Sequence, residues 1–232
     1  ETIHLLQLAT RTGDYKNAVS SDNQNGVMTS NGITLTISKN NNDILIATDP
    51  DADRMGIAIW HNNEYVLLTG NETGAILLDY LGKYKKHGPN AMVYNTIVTS
   101  NFATAICKKY GLNIYQTLTG FKFIGEQILL LEQQGKENSY IFGFEESYGY
   151  LTGTYARDKD AVDAAFMICE MFAYYKGKGI SLLDKLAELY ATHGYCLNTL
   201  YSYEFAGSAG FAKMNDIMEV FRGEIQAVRC AD

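Results

Sequence analysis

The sequence has no apolar run approaching the ~18 residues that a membrane span needs, and membrane partners are not expected. Its first residues, "ETIHLLQLAT", lack the basic and apolar regions of a secretory signal. They also lack an initiator Met, and the chain reads as a piece of something longer. There is no basic excess. The net charge of −7 argues against nucleic acid as a partner, because phosphate backbones select basic faces. A small phosphorylated ligand is not excluded, since it needs only a few local cations. No C-x-x-C or other metal spacing links Cys107, Cys169, Cys196 and Cys230. They read as small buried thiols in a reducing cytosol, and a cytoplasmic location is expected.

What is present is an acidic loop between two apolar runs, "ILIATDPDADRMGIAIW", residues 44–60. Asp49, Asp51 and Asp53 occupy alternate positions, followed by Arg54. Along an extended strand, alternate residues lie ~6–7 Å apart on one face, so modest curvature converges the three carboxylates. Such a set suits Mg²⁺, a hard cation that takes oxygen ligands near ~2.0–2.1 Å. A calcium loop starting at Asp49 would need Gly at its sixth position and Glu at its twelfth. Those positions hold Arg54 and Trp60, so that reading fails. A phosphorylated aspartate and a solvated acidic turn are the other readings.

Residues 1–42 are the least legible. "AVSSDNQNGVMTSNG" reads as a loop, and "ITLTIS" as a strand or a short helix end. From Asp43 the pattern sharpens. "DILIAT", "MGIAIW" and "EYVLLT" read as strands, the last two joined by a hairpin turn in "HNNE". "GNETGAILLDYLGKYKKHG" reads as a helix capped by Thr69 or Asn71 and stopped by Gly88. Strands "AMVYNTIV", "NIYQTL" and "NSYIFGF" then alternate with helices "NFATAICKKYG", "FKFIGEQILLLEQQG" and "DAVDAAFMICEMFAYYKGKG". The helix "SLLDKLAELYATHG", a strand "CLNTLYSYEF" and an amphipathic helix "AKMNDIMEVFRGE" follow. This order predicts an α/β fold with mixed, mostly parallel sheets flanked by helices. The expected divisions are 1–70, 71–195 and 196–232.

Three further stretches carry polar chemistry near strand ends, where open α/β sheets bind ligands. "GFEESYGY", residues 143–150, places Glu145 and Ser147 to face one cleft, with Tyr148 and Tyr150 available to pack on a sugar. It equally reads as an acidic helix N-terminus. "TGTYARDKDAV" brings Arg157 and Lys159 to a helix start, as an anion site or as charge pairing with Asp158 and Asp160. "TLTGFKFIG" offers Thr119 and Gly120 in a turn and Lys122 on the next helix, as a cleft wall or a surface lysine. Together these stretches form an inventory for a phosphorylated sugar handled with Mg²⁺.

The four motifs resemble those of the α-D-phosphohexomutases, in the family's order, from about Asn41 onward. Within that family the bacterial phosphoglucomutase branch is most similar. The resemblance implies the end of domain 2, all of domain 3, and an extension toward domain 4. It also implies missing partners: a first domain with a phosphoserine and a fourth that clamps phosphate. Asp49, Asp51 and Asp53 would ligate Mg²⁺, and Arg54 would contact phosphate or hold the loop. Glu145 and Ser147 would bind sugar hydroxyls, with Thr119, Gly120 and Lys122 along the cleft. Arg157 and Lys159 would approach the transferred phosphate, with Lys159 a candidate general base. The implied activity of the parent is conversion of hexose 1-phosphate to 6-phosphate, most readily glucose, through a bisphosphate. The chain alone would be inactive. A mutase for mannose or pentose phosphates and a non-catalytic sugar-phosphate module are the alternatives.

Overall fold

The computed structural model describes residues 5–9, 26–30, 33–37, 43–199, 201 and 203–229, with side chains described from Asp43 to Gly223 within those ranges. Strands β1 (Leu5–Ala9), β4 (Ile44–Thr48), β5 (Met55–His61) and β6 (Glu64–Leu68) form one sheet in the order β1-β4-β5-β6. The first pair is parallel and the other two are antiparallel. Strands β2 (Gly26–Ser30) and β3 (Ile33–Ile37) pair antiparallel with each other. The loop expected across "AVSSDNQNGVMTSNG" is therefore corrected at its end, where "GVMTS" is a strand. Only Val27 and Met28 are apolar there, too few for an alternation to show. The part of that stretch before Gly26 lies outside the described residues.

β4 and β5 are almost wholly buried, which their continuous Ile, Leu and Ala runs require. The hairpin between β5 and β6 turns on Asn62 and Asn63, with φ of 49° and 68°. Two left-handed residues give the turn whose twist matches its strands, and Asn tolerates that conformation.

The second sheet has the order β10-β9-β7-β8, from β7 (Met92–Thr96), β8 (Asn113–Thr117), β9 (Tyr140–Phe144) and β10 (Tyr150–Leu151). β7 runs parallel to β8 and β9, while β10 folds back on β9 as a hairpin. The helices are α1 (Gly70–Tyr84), α2 (Phe102–Tyr110), α3 (Phe121–Gln133), α4 (Ala161–Lys176), α5 (Leu182–His193) and α6 (Gly207–Arg229). Alternation along β7 divides the core. Val93 joins the main cluster with α1, α2, α4 and α5, and Tyr94 joins a smaller one with Phe121, Ile124 and Ile128 of α3. The main cluster is continuous from Ile44 to Leu189.

α1 is buried over most of its length, and its caps explain its start. The Thr69 hydroxyl accepts from Glu72 N–H, and Glu72 reaches back to Thr69 N–H. The helix stops at Lys85, ahead of the expected Gly88. Asp79, Lys109, Tyr110 and Lys185 knot α1 to α2 and α5. Asp79 Oδ1 lies 3.0 Å from Lys109 Nζ and 2.7 Å from Tyr110 Oη, and Asp79 Oδ2 lies 3.0 Å from Lys185 Nζ.

Among the described residues, those up to Cys196 belong to one compact unit and those from Leu197 onward to a second. The strand expected over 196–205 is absent among its described residues, which are irregular. Leu197, Tyr201 and Tyr203 have strand propensity but no paired partner, and propensity alone does not make a strand. α6 is longer than the expected "AKMNDIMEVFRGE". No described helix is long and apolar enough to cross a membrane.

Candidate active site

The aspartate loop joins β4 to β5 and folds around Asp49. Asp49 Oδ1 accepts from the N–H groups of Asp53 and Arg54, each at 3.1 Å. Asp49 N–H donates to Arg54 O at 3.3 Å, and Ala52 N–H donates to Asp49 O at 3.1 Å, with Ala52 at φ 55°. This local knot curls the chain, so that carboxylate oxygens of Asp49, Asp51 and Asp53 all lie within 4.8 Å of one another. Asp49 is buried and Asp51 is exposed.

The charges respond to this crowding. Burial pushes the Asp49 carboxyl above its ordinary range, and the Asp53 and Asp51 carboxylates add to that, against the Arg54 N–H. Burial also acts upward on Asp53, but Lys159, the neighbouring Asp49 carboxyl and the Arg54 charge together outweigh it and hold that carboxyl low. Lys159 Nζ lies 2.6 Å from Asp53 Oδ2 and 3.1 Å from Asp158 Oδ1. The other oxygen, Asp53 Oδ1, is buried with no hydrogen-bond donor among the described residues. Three hard oxygen donors, one of them unpartnered, fit a divalent cation such as Mg²⁺.

The β9–β10 hairpin, residues 145–149, is joined to this loop through the backbone. Arg54 and Gly149 form an antiparallel bridge, and Met55 N–H donates to Tyr148 O at 3.1 Å. Ala161 N–H donates to Ala52 O at 3.0 Å, which sets the start of α4 against the aspartates. Asp160 caps α4 by accepting from the N–H groups of Val162 and Asp163. Its neighbour Lys159 is thereby aimed into the loop.

Glu145 is buried, and its Oε1 accepts from Gly120 N–H at 3.1 Å. Burial raises its carboxyl, with Lys159 and the Gly120 N–H opposing. A Cβ added to Gly149 would meet Lys159 Cδ at 2.6 Å and Glu145 Oε2 at 3.3 Å. Glycine at 149 is thus what lets the lysine stem pass beside the glutamate.

Of the residues singled out from sequence, Asp49, Asp51, Asp53, Arg54, Gly120, Glu145 and Lys159 are gathered here. Ser147 is half-buried in the hairpin loop, and Thr119 is exposed at the end of β8 beside Gly120. Lys122 is exposed on α3, its Nζ 4.9 Å from the Phe123 ring centroid. Arg157 is directed elsewhere. Its guanidinium pairs with Glu132 of α3 and donates to the carbonyls of Thr154 and Ala156. Tyr150 does not face a sugar: it is 1% exposed, stacked on Phe142 in the core. Glu146, Thr96 and Thr99 went unnoticed in the sequence. Glu146 Oε2 accepts from both threonine hydroxyls at 3.2 Å. The signal for it was the doublet of glutamates after a buried strand.

A family model described as phosphoglucomutase/phosphomannomutase, alpha/beta/alpha domain III, matches residues 69–192. The chain belongs to this family. It is 36% identical over 195 residues to a phosphoglucomutase of Staphylococcus epidermidis, and 36% identical over 196 residues to one of Staphylococcus aureus. Those alignments cover 81% and 82% of this chain but 34% and 35% of the relatives, so it spans about a third of their length. The fold is shared with Paramecium parafusin, a phosphoglucomutase, at a TM-score of 0.57 and 24% identity over 77% of this chain and 30% of that one. A phosphoglucomutase/phosphomannomutase family protein of Burkholderia thailandensis gives a TM-score of 0.50 at 13% identity, over 64% of this chain and 29% of that one. As a member of the phosphoglucomutase/phosphomannomutase family, the chain has its aspartate loop ahead of the matched domain and its glutamate hairpin within it.

Proposed function

We propose that this chain is the metal- and sugar-binding part of a phosphohexose mutase, which interconverts hexose 1-phosphate and hexose 6-phosphate. One observation carries the reading. Lys159 pairs with Asp53 of the aspartate loop and passes beside Gly149, which the buried Glu145 also flanks, within a chain of phosphoglucomutase relatives. Asp49, Asp51 and Asp53 would hold Mg²⁺, which withdraws charge from a phosphoryl group. Lys159 places a positive charge where a phosphoryl oxygen or a bridging oxygen becomes negative. Glu145, kept in place by Gly120, accepts from sugar hydroxyls, and Ser147 offers a second polar contact. The phosphoryl donor in this reading is a phosphoserine outside the chain, and the reaction passes through a hexose bisphosphate. Glucose is the proposed hexose.

The test is turnover by the full-length gene product. Glucose 1-phosphate should be converted to the 6-phosphate in Mg²⁺, faster than mannose or ribose 1-phosphate, and not after chelation. No conversion of any of the three would overturn the reading.

A further inference from the structure

Two adjacent glutamates leave the same hairpin in different directions. Glu145 reaches the turn after β8, through Gly120 N–H. Glu146 reaches the turn after β7, where its Oε2 accepts from Thr96 and Thr99. The two hydroxyls are 2.8 Å apart, and Thr99 Oγ1 also accepts from Thr96 N–H at 3.3 Å. Thr96 and Thr99 are buried. A carboxylate at this point has two converging donors, an arrangement stronger than neutral pairs. On its main-chain side Glu146 is equally confined, because a Cβ on Gly70 would lie 2.1 Å from its carbonyl oxygen.

We infer that Glu146 is a positioning residue for the sugar site: its carboxylate clamps the β7–α2 turn to the hairpin and so fixes Glu145 and Ser147 on either side of it. This rests on the functional reading above. The Glu146 carboxylate is taken up by Thr96 and Thr99 rather than by Gly120 or the aspartate loop, so it acts through its neighbours. The clamp spans the ends of two parallel strands, and it adds to the backbone bonds that Glu145 makes with Gly149 and Met55 makes with Tyr148.

Hydrogen exchange and binding test this on the 232-residue chain. Glu146→Ala should speed exchange of the Glu145, Met55 and Thr99 amides about tenfold, leaving the β9 amides unchanged. Glucose 1-phosphate and glucose 6-phosphate, titrated against the Ser147 and Gly149 amide signals, should bind about tenfold more weakly. Mn²⁺ affinity should stay within about twofold, because the cage does not touch Glu146. Glu146→Gln keeps an acceptor for both hydroxyls and should restore hexose-phosphate binding to within about threefold. Unchanged exchange, faster exchange throughout β9, or unchanged hexose-phosphate affinity would each overturn the inference. A full-length wild-type protein that neither binds nor converts either hexose phosphate would remove the functional reading instead, while the exchange result still decides the clamp.

Discussion

Arg54 and Gly149 pair backbone to backbone, although one belongs to the aspartate loop and the other to the glutamate hairpin. The aspartate loop and the glutamate hairpin are therefore joined through their main chains.

Removing charge from the cage should weaken divalent binding. Asp51→Asn and Asp53→Asn should each lower Mg²⁺ and Mn²⁺ affinity by about tenfold or more, since ligand charge tunes such sites. Isothermal calorimetry on the chain checks this. Affinity equal to wild type in both variants would remove the cage.

Asp79 should govern acid stability. Burial alone would raise its carboxyl, but Tyr110, Lys185 and Lys109 outweigh that and hold it low. A carboxyl depressed in the folded state adds stability above its unfolded value, near ~3.9, and loses it as pH falls toward the folded value. Asp79→Asn should flatten that acid slope. At neutral pH it should cost roughly 3 kcal/mol, by leaving the buried Lys185 with only the exposed Glu188 as counter-charge. Urea titrations at several pH values read both effects.

Gly70→Ala should be costly despite sitting in a helix. The added methyl meets the Glu146 carbonyl at 2.1 Å, and backbone cannot step aside as a side-chain tip can. A loss of roughly 2–3 kcal/mol is expected, as for overpacked cores. Denaturant midpoints measure it, and a midpoint equal to wild type would show that the contact is slack.

The apolar strands and capped helices were legible because their periods and end signals agree. "ILIAT" and "MGIAIWH" are continuous apolar runs, Thr69 and Glu72 make a capping box, and Gly111 stops α2 in the left-handed region. The strand "GVMTS" was hidden by its polar composition. "CLNTLYSYEF" misled because apolar alternation says nothing about whether a partner strand exists. In the site, the convergence of the alternate aspartates was readable, since a short curved loop brings their carboxylate oxygens within 4.8 Å of one another. The direction of Arg157 was not. Which carboxylate a guanidinium finds depends on α3 passing close by, where a Cβ on Gly125 would meet the Arg157 carbonyl at 2.2 Å. Tyr150 was misread for a similar reason: its side of the hairpin follows from pairing opposite Phe144, a register unavailable from sequence.

The bond from Ala161 N–H to Ala52 O also has a consequence for biosynthesis. Synthesis runs from the N-terminus, and contacts between distant segments form late because closing a long loop costs entropy. The "DPDADR" stretch leaves the ribosome long before Lys159 and the start of α4. Until those residues arrive its three carboxylates have Arg54 beside them but not Lys159. The pairing of Lys159 with Asp53 is thus something the growing chain acquires only once its second sheet has closed.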